Sequence, residues 1–272
     1  MNFIRILKAV FRKDFQIMMR YKLNLFMTLL AIIFYSIFIF FISDTFAFKD
    51  SGITNLGDDS LFIFLLTGLM LIDITLTCSS SLPLTVSFYQ TSGIMDELVS
   101  DIKIFFTTII CATIFPFFLS LIKFSLYVLF AILFFDLDIF FSANIFIIIP
   151  FMFIYLFAII GIGLIAASLT LIFKRGNPVI QLNNILTATI SGAFIPVSKF
   201  ASQLQAISDF LPATQFINIL RMLFEIESYG QTSLNISALN LVFLSIVIFT
   251  FGVFCFYKAT NYAKLKNIIA DY

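Results

Sequence analysis

Six stretches of this chain are apolar for long enough to cross a lipid bilayer, and no other feature constrains its fold as tightly. They run over about 23–42, 61–83, 104–135, 143–173, 178–195 and 236–257. A helix needs roughly 20 residues to cross the hydrocarbon core. Strands of a membrane barrel are shorter and alternate apolar with polar residues, so runs of this length read as helices. Tilt or overhang absorbs the extra length of the third and fourth runs. The expected fold is an all-α integral membrane protein with six transmembrane helices over 23–257. Composition agrees: 61% of the 272 residues are apolar and 11% are charged, where a soluble domain carries roughly 25% charged residues.

The same composition excludes several functions. A net charge of +1 implies no nucleic-acid partner. The chain has no histidine, so it holds no His-based triad and no His-ligated metal. Cys78, Cys111 and Cys255 sit inside apolar runs, without metal or disulfide spacing, and read as packing residues. Tryptophan is absent too, which leaves Phe and Tyr to do the interfacial work. Charges are spread through the first twenty residues, unlike the short basic start of a cleavable signal.

Lysine and arginine set the expected orientation. With the N-terminus inside, inner segments hold Arg5, Lys8, Arg12, Lys13, Arg20, Lys22, Lys103, Lys174, Arg175, Lys258, Lys264 and Lys266. Outer segments hold only Lys49, Lys199 and Arg221, and are acidic at Asp44, Asp50, Asp58, Asp59, Asp136 and Asp138. The positive-inside rule therefore places both chain ends in the cytoplasm, with 258–272 as a cytoplasmic tail.

Residues 1–22 read as an amphipathic interface helix. Phe3, Ile6, Leu7, Val10 and Phe11 recur at helical spacing, with Arg5, Lys8, Arg12, Gln16 and Arg20 opposite. Asp14 falls on the apolar stripe. It is expected to pair with a neighbouring cation, face a partner, or snorkel to water.

The segment 191–221, SGAFIPVSKFASQLQAISDFLPATQFINILR, is apolar but interrupted at Pro196 and Pro212. The piece between the prolines is too short to cross. A seventh span would also move the basic C-terminal cluster outside. Two readings remain: a re-entrant hairpin over 196–226, or an outer loop whose amphipathic helices lie on the headgroups. Irregular backbone at membrane depth is tolerated only inside protein or along a wet cavity.

The order of these features resembles the membrane-spanning subunit of an ABC-2 type exporter. The resemblance is carried by Ser191-Gly192-Ala193-Phe194-Ile195-Pro196-Val197-Ser198, then Ile207-Ser208-Asp209-Phe210-Leu211-Pro212, then Arg221. A second match is the inner-loop stretch Thr91-Ser92-Gly93-Ile94-Met95-Asp96-Glu97-Leu98. The resemblance implies a half-transporter: two permease subunits, identical or not, around a central pathway, driven by two cytoplasmic ATP-binding cassette subunits. No G-x-x-x-x-G-K-[ST] loop is present. ATP and its Mg are therefore expected on the partner, and this chain is expected not to be an enzyme.

Within that resemblance, loop 86–102 is the candidate coupling element. A short helix around Ile94–Asp101 would present Asp96, Glu97 and Asp101 to the ATPase, with Arg12 and Lys13 as a second contact; a solvated charged turn is the plainer alternative. Asp73 and Lys123 are charges deep in spans two and three, where each must face protein or water. They are expected to pair with each other, or Asp73 lines a substrate pathway with Thr67 and Thr77. Phe194, Pro196, Phe200, Phe210 and Pro212 would form an outer gate, and Arg221 is expected to pair with Glu225. The expected cargo is an amphipathic small molecule or peptide, such as a drug, antibiotic or bacteriocin. Export of a lipid-linked glycan and ATP-independent secondary transport are the alternatives, and the almost wholly aliphatic and Phe composition of span one favours the apolar cargo.

Overall fold

The computed structural model describes residues 3–47, 58–135, 145–173, 177–223 and 231–265. Lys49, Asp50, Asp136, Asp138, Lys174, Arg175, Glu225 and Lys266 lie outside these residues, as does the end of the 196–226 segment. The side chains of Asp58, Asp59 and Asp96 are likewise not described.

The described residues are helices and the turns between them. In order they are α1 (Phe3–Arg20), α2 (Lys22–Ala47), α3 (Asp58–Thr91), α4 (Met95–Ser100), α5 (Ile102–Cys111), α6 (Ile114–Phe135), α7 (Ile145–Phe173), α8 (Asn177–Ile190), α9 (Ser202–Asp209), α10 (Pro212–Leu223) and α11 (Gln231–Leu265). Among the described residues five helical stretches are long and apolar enough to span a membrane: Lys22–Thr45, Leu61–Thr91, Ile102–Leu133, Ile147–Phe173 and Leu234–Leu265. The fifth stretch expected from sequence, 178–195, is helical only through Ile190, in a helix of 14 residues. The cause is local: Gly192 turns the chain at φ 88°, a left-handed conformation that glycine adopts without steric cost.

Two prolines act differently from their sequence reading. Pro83, expected to end the second span, lies inside α3, which runs on to Thr91. Membrane helices tolerate an interior proline when neighbours accommodate the freed carbonyl. Here that carbonyl belongs to Ser79, and it lies against Gly163 of α7, where an added Cβ would sit 3.1 Å from it. Pro116 lies in the first turn of α6, where a helix leaves its N–H groups unbonded in any case. The third span is accordingly broken at Ala112 and Thr113 into α5 and α6.

The main core is built by α3, α4, α5, α7, α10 and α11 around Leu71, Phe105, Tyr155, Leu164, Phe216 and Phe256. Its tightest seam joins α7 to α11. A Cβ on Gly161 would come within 2.6 Å of the Ile248 carbonyl, and one on Gly252 would strike the Gly161 backbone. Small residues at such a crossing let two membrane helices reach backbone contact. A second cluster holds α2 on α3 and α6 through Ile32, Ile39, Phe62, Leu66 and Tyr127. A third buries Ile6 and Val10 of α1 on Cys111 and Ala112, at the break between α5 and α6. The apolar stripe of α1 therefore packs against protein, and Phe11 meets Phe115 edge-on at 5.2 Å.

Candidate functional site

Three places concentrate polar chemistry in this apolar bundle. The first is the knuckle between α3 and α5. Gly93 turns the chain at φ 69°. The turn is closed by the Ser92 amide donating to the Phe88 carbonyl at 3.0 Å and the Gly93 amide donating to the Gln90 carbonyl at 3.2 Å. Helix α4 follows, one turn and a half long. Met95 and Val99, four residues apart, are buried in the main core, while Glu97 and Ser100 are exposed. The helix is thus anchored by one face and offers the other. Asp101 is exposed but engaged: its Oδ1 accepts from the Lys103 amide at 2.9 Å and the Ile104 amide at 3.3 Å, capping α5. Helix α1 reaches the same knuckle. Lys13 pairs with Asp14 at 3.1 Å and lies 5.8 and 5.6 Å from the ring centroids of Phe88 and Tyr89. That pair answers the placement of Asp14 on the apolar stripe. Arg12 is exposed.

The second place is an ion pair inside the membrane-length helices. The Lys123 ammonium of α6 lies 3.1 Å from each carboxylate oxygen of Asp73 of α3, and 3.5 Å from the Thr77 hydroxyl. The side chains are 13% and 27% exposed. The two charges therefore satisfy each other at a partly open position, with Thr77 as a third partner. Thr67 lies apart from them. It is buried, and its hydroxyl donates to the Phe64 carbonyl at 2.8 Å.

The third place is the broken segment between α8 and α10, and here the structure holds contacts that sequence reasoning missed. Helix α8 ends with carbonyls that have no helical donor. The Ser191 hydroxyl donates to the Thr187 carbonyl, and the Ser208 hydroxyl donates to the Ile190 carbonyl at 2.8 Å. Arg221, 2% exposed, reaches across from α10. Its Nη2 donates to the Ala193 carbonyl at 3.0 Å and to the Phe64 carbonyl at 3.4 Å, and its guanidinium lies 3.4 Å above the Phe64 ring. One arginine thereby ties α10, the unwound chain after α8, and the first turns of α3. Its expected partner Glu225 lies outside the described residues. The signal in the sequence is an arginine nine residues after a proline in an apolar run, and nothing there names its acceptors.

The short helices α9 and α10 are joined at Phe210 and Leu211. The Gln215 amide donates to the Asp209 carbonyl at 2.9 Å, and the Ser208 and Thr214 hydroxyls are 3.2 Å apart. Pro212 opens α10 as its first residue, where no N–H is needed. Nearly all of α10 is buried, and Phe216 stacks on Tyr155 at 4.7 Å. Tyr155 in turn shares a hydrogen bond with Thr75 at 2.6 Å. Helix α9 is mostly exposed. Among the candidate gate residues, Pro212 is buried, Pro196 and Phe200 are half-buried, and Phe194 and Phe210 are exposed.

Among the described residues no three metal-ligating side chains converge. The chemistry these places hold is that of contact and packing: an anchored helix with Glu97 on its exposed face, a paired charge inside the membrane-length helices, and a helix end at which the Thr187 and Ile190 carbonyls accept from serine hydroxyls. Residues 5–224 match the ABC-2 type transporter family. No curated protein matches the chain.

Proposed function

The chain belongs to the ABC-2 type transporter family, and from that premise we propose that it is the permease subunit of an exporter driven by ATP hydrolysis on a separate cytoplasmic subunit. Both chain ends face the cytoplasm in this reading. The ATP-binding cassette subunit docks at the knuckle of α3, α4 and α5, and a second permease subunit completes the pathway. The cargo is an amphipathic small molecule or peptide. The segment from α9 to α10 is a re-entrant hairpin, and Phe194, Phe200 and Phe210 form an outer gate against the second copy.

The observation that carries this reading is the attachment of α4. Its exposed face, with Glu97, is free for a partner, while Met95 and Val99 are set into the main core. A three-residue turn joins it to α3 and a capped junction joins it to α5. Force applied to α4 therefore reaches both neighbouring spans instead of dissipating in a loop. Lys13, held over Phe88 and Tyr89, couples α1 to the same end. The almost wholly aliphatic and Phe composition of α2 supports an apolar or amphipathic cargo.

The test is charge reversal at Glu97 in vesicles that contain both the permease and its ATPase. In Glu97→Lys, transport falls at least about tenfold, the equivalent of roughly 1.4 kcal/mol of lost coupling, while ATP hydrolysis continues and the permease subunits still assemble. Normal transport by this variant removes the contact assignment.

A further inference from the structure

We propose that the groove between α5 and α11 is a binding site for one acyl chain of an anionic glycerophospholipid, whose phosphate is held by Lys103 and Lys264. The groove encloses about 460 Å³ and is walled by Ile102, Phe106, Val253 and Tyr257, with Thr250 toward one end and Lys103 and Thr260 toward the other. Its threonine hydroxyls are already satisfied. Thr250 donates to the Ile246 carbonyl at 2.8 Å, and Thr260 donates to the Tyr257 carbonyl at 2.8 Å. The walls therefore offer an occupant apolar surface along their length and ammonium groups at one end only.

Length and charge identify the occupant. From Thr250 to Thr260 α11 rises about 15 Å, which is half of a hydrocarbon core roughly 30 Å thick. The groove is one leaflet deep. A partner helix or a second copy would need no such stop, whereas an acyl chain ends at mid-bilayer. At the other end, Lys264 lies one turn beyond Thr260, and its Nζ is 3.5 Å from the Ser100 carbonyl, which places it beside the start of α5. Lys103 lines the mouth itself. The Asp101 carboxylate nearby is engaged by the amides of Lys103 and Ile104. Two ammonium groups thus face the headgroup level, each favouring an anionic over a zwitterionic lipid by about fivefold. The inference needs only that these helices span lipid. It goes beyond the transport reading and stands independently of which face is cytoplasmic and of what is transported.

The chain has no tryptophan, so a single substitution supplies a fluorescent reporter. The full-length Tyr257→Trp protein is reconstituted in phosphatidylcholine vesicles containing either brominated phosphatidylglycerol or brominated phosphatidylcholine. The expected result is quenching at least about fivefold more effective with the brominated anionic lipid. That preference disappears when Lys103→Gln and Lys264→Gln are added, and is absent from the start in a reporter with Phe243→Trp, an exposed residue on the opposite half of α11. Equal quenching by both lipids at position 257 means ordinary annular lipid and overturns the proposal. So does a preference that survives the double lysine substitution. Quenching at 243 but none at 257 means that protein covers the groove, and overturns it as well. The preference in the lysine-intact reporter decides the matter even where the lysine variants fold poorly.

Discussion

The Asp73–Lys123 pair gives the sharpest test of how this bundle tolerates charge. At 3.1 Å and an effective dielectric of about 20, two unit charges attract by roughly 5 kcal/mol. Removing two partly exposed groups from water takes back a large share of that attraction, and the remaining exposure screens it further. A net coupling of about 2 kcal/mol is the working figure. Replacing one partner is worse than losing that coupling, because the other charge is stranded. Lys123→Met leaves a carboxylate among apolar helices and is expected to destabilise by about 2–3 kcal/mol, and Asp73→Asn leaves an ammonium at similar cost. The double variant, with no charge to strand, is expected within about 1 kcal/mol of the parent. Reversible unfolding in mixed detergent micelles measures all four proteins, and the cycle is expected to return about 3–5 kcal/mol, the net coupling plus the cost of the charge that each single variant strands. Additive single effects, with coupling below about 0.5 kcal/mol, refute the reasoning. Transport by the stable double variant separates the two roles. A purely structural pair leaves transport intact, whereas an Asp73 that lines the cargo pathway leaves a folded but inactive permease.

Two further substitutions probe the seams of the fold. Gly252→Leu drives a side chain into the Gly161 backbone and forces α7 from α11, at an expected cost of 3 kcal/mol or about that, read in the same unfolding assay. Asp101→Ala removes the cap of α5 and is expected to cost about 1 kcal/mol, whereas Glu97→Ala is expected to leave stability unchanged. An equal loss for both would mean that Glu97 also holds the knuckle together.

Much of the fold was legible in the sequence because lipid imposes a simple rule. Long apolar runs must be helical, and among the described residues five of them are helical over a membrane-spanning length. The errors lie where that rule is silent. The sequence ends the second span at Pro83, yet α3 continues because Gly163 leaves room for the Ser79 carbonyl, a fact about a helix 80 residues away. The run 178–195 reads as continuous because Gly192 and Ala193 count as apolar, although Gly192 is the residue that turns the chain. Residues that bear only on their near neighbours were readable, such as Gly93 in its turn and the apolar face of α1. Pairings across the fold were less so. Asp73 and Lys123 suggested each other because opposite charges in lipid have few alternatives. Arg221 and the Phe64 carbonyl are 157 residues apart, and a backbone acceptor leaves no mark in a sequence.

The three polar places are connected, and the connection is α3. Near its start, Phe64 receives Arg221 from α10. Further along, Asp73 holds Lys123 of α6 and Thr75 bonds Tyr155 of α7. At its end, Phe88 and Tyr89 lie beneath Lys13 of α1, and the turn at Gly93 leads into α4. The helix has 34 residues, about 50 Å at 1.5 Å each, so one rigid element spans the distance between the knuckle and the broken segment. Energetic coupling between distant sites requires a contiguous physical path whose arrangement both sites bias. Here the path is a single hydrogen-bonded helix with Pro83 as its one interior interruption. A displacement of α4 that tilts α3 also moves the Phe64 carbonyl, and Arg221 must follow it or release the Ala193 carbonyl. The permease reading therefore demands that the broken segment and α4 move together, and a cross-link that fixes α3 to α7 must silence both.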